Sequence, residues 1–284
     1  MNKHIPFTHD MLPTTIIWTL AGFIGCVFLW LIGDLIWQGT AHLSWEFLSQ
    51  PPADAGRSGG INSILVSTGL ILFVCMTVAL PIGLGTAIFL AEWTSETHPL
   101  AQYTGRSLDV LASVPSIVFG LFGNAVFCQL LGMGFSILSG GLTLACMVLP
   151  ILVRTTEQGF RALPQEYRVS AAALGLTKRA TLFHLLLPAA IPALIVGFVL
   201  GLGRAIAETA ALIFTSGYVS RMPESLLDSG RTLSIHIYDL SMNVPGGDHA
   251  AYSTALVLII SVLTLNSFSL WISKRWMHTR IMST

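Results

Sequence analysis

RALPQEYRVSAAALGLTKRATLFHLLLP, residues 161–188, is the one long polar interval between two apolar runs that is also rich in basic residues. Arg161, Arg168, Lys178 and Arg179 stand there against a single carboxylate, Glu166. The pattern predicts two short helices joined by a hinge. Pro164 suits a first helical turn, and Tyr167 to Leu174 contains no breaker. Gly175 is placed to end that helix as a C-cap, and Thr177 to cap a second one running toward Pro188. Such an elbow is too short to fold alone, and its apolar residues Ala171, Leu174 and Leu176 are expected to need a groove on a partner.

The flanks say where the elbow is held. The 284 residues are 53% hydrophobic and 10% charged, against about 25% charged in a soluble domain. The chain is therefore expected to be an all-α integral membrane protein. Six spans are legible, at about 14–36, 62–90, 108–131, 135–153, 189–216 and 252–272. Each is long enough for a hydrocarbon core of about 30 Å. A β-barrel would show alternating segments near ten residues instead. Zero formal net charge argues against a nucleic-acid partner.

With the N-terminus inside, the inner side holds Lys3, Arg106, Arg154, Arg161, Arg168, Lys178, Arg179, Lys274, Arg275 and Arg280, and the outer side Arg57, Arg221 and Arg231. Ten against three predicts both termini and the 161–188 elbow on the cytoplasmic side. Residues 1–60 read as a tail, one helix and an outer loop closed by the flexible PPADAGRSGG joint. Residues 61–272 read as the transmembrane domain and 273–284 as a cytoplasmic tail. The first apolar run is too long for a cleavable signal.

Pro81, Pro115 and Pro150 are expected to bend or break the second, third and fourth spans. Gly83 with Gly85, Gly120 with Gly123, and Gly197 with Gly201 mark close helix approach, within one subunit or at a seam between subunits. A further short helix is expected around residues 231–242. Cys26, Cys75, Cys128 and Cys146 lie in apolar runs without paired spacing and read as small core residues.

The fifth run, GLGRAIAETAALIF, carries Arg204 and Glu208 near its middle, four residues apart and hence on one helix face. A charge at mid-bilayer costs about 2.5–3.5 kcal/mol. A structural ion pair and the lining of a polar path both account for the two, and the glycines and threonines beside them favour the path. A guanidinium matches an oxyanion with two parallel hydrogen bonds. The carboxylate repels a fully ionised anion but can accept a hydrogen bond from an oxyanion that keeps a proton at neutral pH, as phosphate does, which favours phosphate over sulfate.

No nucleotide-cradling G-x-x-x-x-G-K-[ST], HExxH, CxxC or GxSxG occurs, and the eight histidines form no ligand set on one helix. No catalytic residue, metal or cofactor is expected in this chain. A nucleotide that drives transport would be bound by another polypeptide.

The elbow resembles the cytoplasmic signature of ABC transporter type-1 permeases: E-A-A, three residues, Gly, nine residues, Ile-x-Leu-Pro. Here Gly175 is followed after nine residues by Leu185 and then Leu187–Pro188, but Val169 and Ser170 replace Glu and the first Ala, with Ala171 retained. Glu166 or Arg168 is left to supply the missing Glu's contact. LASVPSIVFGLFG (111–123), LPILVRTTEQGFRALPQEYR (149–168), GRAIAETAALIFTSG (203–217) and LSIHIYDLS (233–241) resemble PstA-type phosphate permease subunits.

The resemblance implies a type I importer in the bacterial inner membrane. Its parts would be a second homologous (PstC-like) permease subunit, a cytoplasmic (PstB-like) ATPase dimer using ATP-Mg and an outer (PstS-like) solute-binding protein, with lipid around them. It makes Gly175 and its neighbours Glu166, Arg168, Ala171, Ala172, Leu176 and Lys178 the ATPase contact, and Arg204 and Glu208 the charged intramembrane pair. Arg154 either meets the anion on exit or anchors at lipid headgroups. A permease for phosphonate, sulfate or molybdate is the nearest alternative. A stand-alone channel or exchanger is a more distant one, since it needs no elbow and should show inverted symmetry.

Overall fold

A computed structural model of the chain describes residues 11–95 and 97–281. Lys3, His4 and His9 lie outside the described residues. The helices are α1 Met11–Thr40, α2 Trp45–Ser49, α3 Asn62–Ile88, α4 Pro99–Ser113, α5 Ser116–Gly123, α6 Ile137–Arg161, α7 Glu166–Ala173, α8 Lys178–Thr181, α9 Leu187–Ile206, α10 Ala210–Ile213, α11 Leu233–Met242 and α12 Asp248–Ile281. Three π-helical turns extend them. Phe89–Trp93 prolongs α3, Asn124–Leu130 prolongs α5, and Leu182–Leu186 fuses α8 to α9. One small hairpin pairs β1 (Pro52–Ala53) antiparallel with β2 (Ser58–Gly59).

The centre of the molecule is α6, which packs most extensively on α3 and then on α9. Ile71, Cys75 and Ala79 of α3 meet Leu144, Val148 and Leu152 of α6 and Leu202 and Ala205 of α9 in one buried cluster. Lipid gives helices no hydrophobic reason to associate, so close backbone approach must supply the contact. Glycine provides it: a Cβ at Gly201 would stand 2.7 Å from Val148 Cγ1, and one at Gly120 would stand 2.9 Å from Ala211 Cα. Gly83, Gly123 and Gly197 also face neighbours within the chain, whereas Gly85 and Gly203 have nothing within 4 Å of such a Cβ. At the other extreme, α1 packs along α12 and turns Trp18, Phe23 and Trp30 outward. Cys26 is exposed on this helix, so the core reading holds for Cys75 and Cys128 but not for it.

Among the described residues five helices are long and apolar enough to cross a membrane, or six spans if the bent pair Pro99–Ser113 and Ser116–Leu130 is counted as one. The third span expected at 108–131 is two helices, Pro99–Ser113 and Ser116–Leu130, bent by 102° at the break expected of Pro115. Pro115 lacks an N–H and pushes Val114 into extended backbone (φ −68°, ψ 129°). Pro81 and Pro150 do not break their helices, since α3 and α6 run through both.

The fifth span also changes. It begins at Lys178, so the second elbow helix and the span are one 29-residue helix ending at Ile206. The π turn at Leu182–Leu186 lies just before Pro188 and Pro192, where N–H groups are missing, and carries the helix past them. The helix expected at 231–242 is α11, and α12 continues without interruption to Ile281.

Overpacking costs about 1–3 kcal/mol, more than the roughly 0.5–1 kcal/mol a helical Gly→Ala change otherwise gains. Gly120→Ala is therefore expected to lower the thermal unfolding midpoint of the detergent-purified chain, and Gly203→Ala to raise it. An unchanged or higher midpoint for Gly120→Ala would show that α5 and α10 do not approach as described.

Candidate functional site

Two places collect the charged side chains: the end of α9 farthest from the elbow, and the elbow itself. At the first, α9 stops at Ile206, the chain leaves the helical path at Ala207–Thr209, and α10 begins at Ala210. Glu208 falls in this break. Its N–H donates to Ala205 O (3.2 Å), its carboxylate accepts the Ala211 N–H (3.4 Å), and its carbonyl accepts Ser234 Oγ of α11 (2.5 Å). The expectation that Arg204 and Glu208 share one continuous helix face is therefore corrected. Arg204 closes α9, Glu208 lies beyond it, and they meet at Nη2–Oε2 3.9 Å.

That pairing is loose, and the two partners are unequal. The Glu208 side chain is 7% exposed and that of Arg204 53%. The guanidinium also approaches Met147 Sδ (4.0 Å). It stands beside Gly203, where an added Cβ would meet nothing within 4 Å. The site thus combines an exposed five-donor fork with a buried acceptor 3.9 Å behind it, an arrangement suited to an oxyanion that carries one proton. Thr215 is buried, and its hydroxyl donates to Ala211 O (2.9 Å), so it braces α10 instead of facing a solute.

Helix α11 fixes the break from behind. Thr232 caps it, and its first N–H, on Leu233, donates to Thr68 Oγ1 of α3 (3.0 Å). Arg231 donates to Asp239 (2.9 Å), to Tyr218 O (2.8 Å) and toward His236 Nδ1 (3.3 Å). Burial holds Arg231 below its ordinary range against the pull of Asp239. Burial, helped by the Arg231 charge and opposed by Asp239, pushes His236 down to about 4. Only glycine fits at position 56, where a Cβ would stand 2.7 Å from His236 Cε1. Sequence reading missed Ser234, Thr68 and His236. Their role depends on contacts across 26 and 165 residues, and only the polar face of 231–242 hinted at it.

At the elbow, α7 ends as expected. Gly175 takes φ +70°, its N–H donates to Ala172 O (3.0 Å), and Leu176 N–H donates to Ala171 O (3.0 Å). Thr177 Oγ1 then accepts the Ala180 N–H (3.2 Å) and starts α8. Glu166, Ala172, Gly175, Leu176 and Lys178 are exposed, as are Val169 and Leu174, the last at 79%. Two members of the expected contact set are not. Ala171 is 1% exposed and needs no partner groove, because packing inside the chain already covers it. Arg168 turns inward and donates to Glu92 and to Phe160 O and Leu163 O.

Arg154 is engaged as well. It donates to Gly105 O (2.8 Å) and Asp109 (2.6 Å) of α4 and to Glu157 (3.3 Å). Arg161 shares Glu157 (3.0 Å) and donates to Leu90 O (3.1 Å). Arg154 is thus a link between α4 and α6. Along α6 it lies two helical turns, about 10 Å, from Met147, the residue that Arg204 approaches. A groove of about 310 Å³ runs beneath the elbow between Trp93, Leu176, Lys178 and Leu182. Among the described residues no three His, Cys, Asp or Glu side chains are grouped to hold a metal ion.

The family model described as "binding-protein-dependent transport system inner membrane component" matches residues 80–278. A Bacillus subtilis protein named as a probable ABC transporter permease, YqgI, is 31% identical over 99% of this chain and 98% of its own length. The phosphate transport system permease protein PstA of Mycobacterium leprae is 34% identical over 74% of this chain and 69% of its own length. In fold, the chain is similar to a subunit of a bacterial alginate ABC transporter solved with an alginate-bound periplasmic protein. The TM-score is 0.62 at 17% identity, covering 94% of this chain and 95% of that one.

The environment of His236 gives the α11 end a pH signature. Its folded value of about 4 lies below the roughly 6.5 of an unfolded histidine, so stability is full above about pH 6.5 and declines as pH falls toward 4. At about 1.4 kcal/mol per pKa unit the loss reaches about 3 kcal/mol. Thermal unfolding of the purified chain between pH 7 and 4 should show this decline, and His236→Gln should make it shallower. Equal slopes would mean that His236 is not held neutral by burial.

Proposed function

The chain belongs to the family of binding-protein-dependent transport system inner membrane components, as a multi-pass permease of the ABC importer class, and on that premise we propose that it carries inorganic phosphate into the cell. In this reading the bent α4–α5 pair completes six spans, both termini and the elbow face the cytoplasm, and the chain itself catalyses nothing. An ATPase pair binds ATP-Mg and engages the exposed elbow. A second, PstC-like permease subunit covers the open face of α9, and a PstS-like solute-binding protein delivers the anion.

Arg204 carries the reading: an exposed guanidinium on an apolar helix with a buried carboxylate 3.9 Å away. Phosphate at neutral pH presents both an anionic edge for the arginine and a proton for Glu208, whereas sulfate presents only the edge. Likeness to a PstA protein supports the same choice. The fold does not select the substrate, since a chain of the same fold serves an alginate transporter. Because Lys178–Ile206 is one helix, a pull on the elbow acts directly on the helix that ends at Arg204.

Uptake into proteoliposomes holding the complete transporter tests this. Phosphate uptake should be outcompeted by unlabelled phosphate but not by sulfate, molybdate or phosphonate. Glu208→Gln should lower it at least about tenfold, as expected for loss of a charge-assisted hydrogen bond of about 1.5–3 kcal/mol. Equal competition by sulfate would overturn the substrate, and unchanged uptake in Glu208→Gln would overturn the role of the carboxylate. Uphill uptake by this chain alone would overturn the whole assignment.

A further inference from the structure

Arg168 stands at the centre of the elbow sequence but does not face outward. Its Nε and Nη2 donate to the two carboxylate oxygens of Glu92 (3.2 and 2.6 Å). Nη2 also donates to Phe160 O (2.9 Å) and Nη1 to Leu163 O (3.2 Å). The two charged side chains are 22% and 13% exposed. Glu92 belongs to the π turn that ends α3, Phe160 to the last turn of α6, and Leu163 to the joint leading into α7.

One side chain of the elbow therefore holds the ends of the two helices that pack most extensively in the core. The contact is well matched. Terminal carbonyls of a helix have no partner inside it and favour a nearby cation. Only a planar fork satisfies a carboxylate and two carbonyls together, which lysine's single ammonium cannot do in this geometry. With these donors engaged inside the chain, Arg168 is poorly placed to contact another protein. The exposed residues around Gly175 remain free to do so.

We propose that the Arg168–Glu92 pair is a transmission strut: it makes α3 and α6 follow the elbow when the ATPase moves it. Without it the elbow would be tied to α3 and α6 only by the 162–165 joint and by the apolar packing of Leu182 and Leu186 on Phe160, Leu84 and Ile88, contacts that carry no fixed geometry comparable to the fork. Arg168 is thereby a positioning residue, acting after docking and before solute movement. The inference rests on the reading of the elbow as the ATPase contact.

The test uses the complete transporter in proteoliposomes, with three readouts: ATPase retained on the affinity-purified chain, rate of ATP hydrolysis, and phosphate moved per ATP. Arg168→Lys and Glu92→Gln should each retain the ATPase and continue hydrolysis. Each should move at least about fivefold less phosphate per ATP, the low end of coupling between distinct sites. Replacing both residues by cysteine, with the four native cysteines changed to serine or alanine, allows a short bis-maleimide to tie the two positions together. Crosslinking should restore phosphate moved per ATP above the uncrosslinked level.

Full coupling in both single variants would overturn the strut. Loss of the ATPase in Arg168→Lys would also overturn it, because Arg168 would then be a docking residue. Should the unaltered chain retain no ATPase, the functional reading itself fails, a result the variants cannot mimic.

Discussion

Backbone polar groups cannot be left unpaired in a bilayer, and the ends and breaks of these helices are arranged around that constraint. The central helix, α6, shows it at both ends. Its first N–H groups, on Ile137 and Leu138, donate to Asp228 O and Leu226 O (2.9 Å each) of the segment that follows α10. At its other end Phe160 O accepts Arg168, while Leu90 O at the end of α3 accepts Arg161. The break after α9 obeys the same rule, with Ser234 donating to the carbonyl of Glu208. Arg161, Arg168 and Ser234, scattered along the chain, thus close helix ends and breaks.

Because those closures join different helices, they also set what can move together. Arg154 and Arg161 share Glu157 and so connect α4, α6 and the end of α3. Arg168 adds α7 to the same group. At the opposite end, α10 lies against Gly120 of α5 and Gly140 of α6, where a Cβ would meet Ala211 and Ser216 within 3 Å. The right-angled α4–α5 pair therefore touches the ion-pair network with one arm and the neighbourhood of Glu208 with the other. The second elbow helix, continuous with α9, joins the same region from a third direction.

Where the sequence misled, it did so through single residues whose effect depends on surroundings. Pro81, Pro115 and Pro150 look alike in the chain, yet only Pro115 ends a helix. It follows an amphipathic segment bearing Arg106 and Asp109, and the chain bends there by 102°. The four-residue spacing of Arg204 and Glu208 suggested one face, but the helix ends between them. The Glu208 carboxylate instead accepts from the N–H of Ala211 at the start of α10.

Length and composition alone determined a multi-span helical membrane protein, because 10% charged residues cannot cover a surface in water. Local chemistry alone determined the elbow, since a left-handed glycine at 175 and a threonine cap at 177 need no distant partner. Tertiary structure decided which charges are spoken for. Arg168 and Arg154 read like Arg204 in one dimension, yet the first two meet carboxylates 76 and 45 residues away, and the third stands half exposed beside a buried glutamate. Pairing across such separations is fixed by how helices cross, which no local spacing encodes.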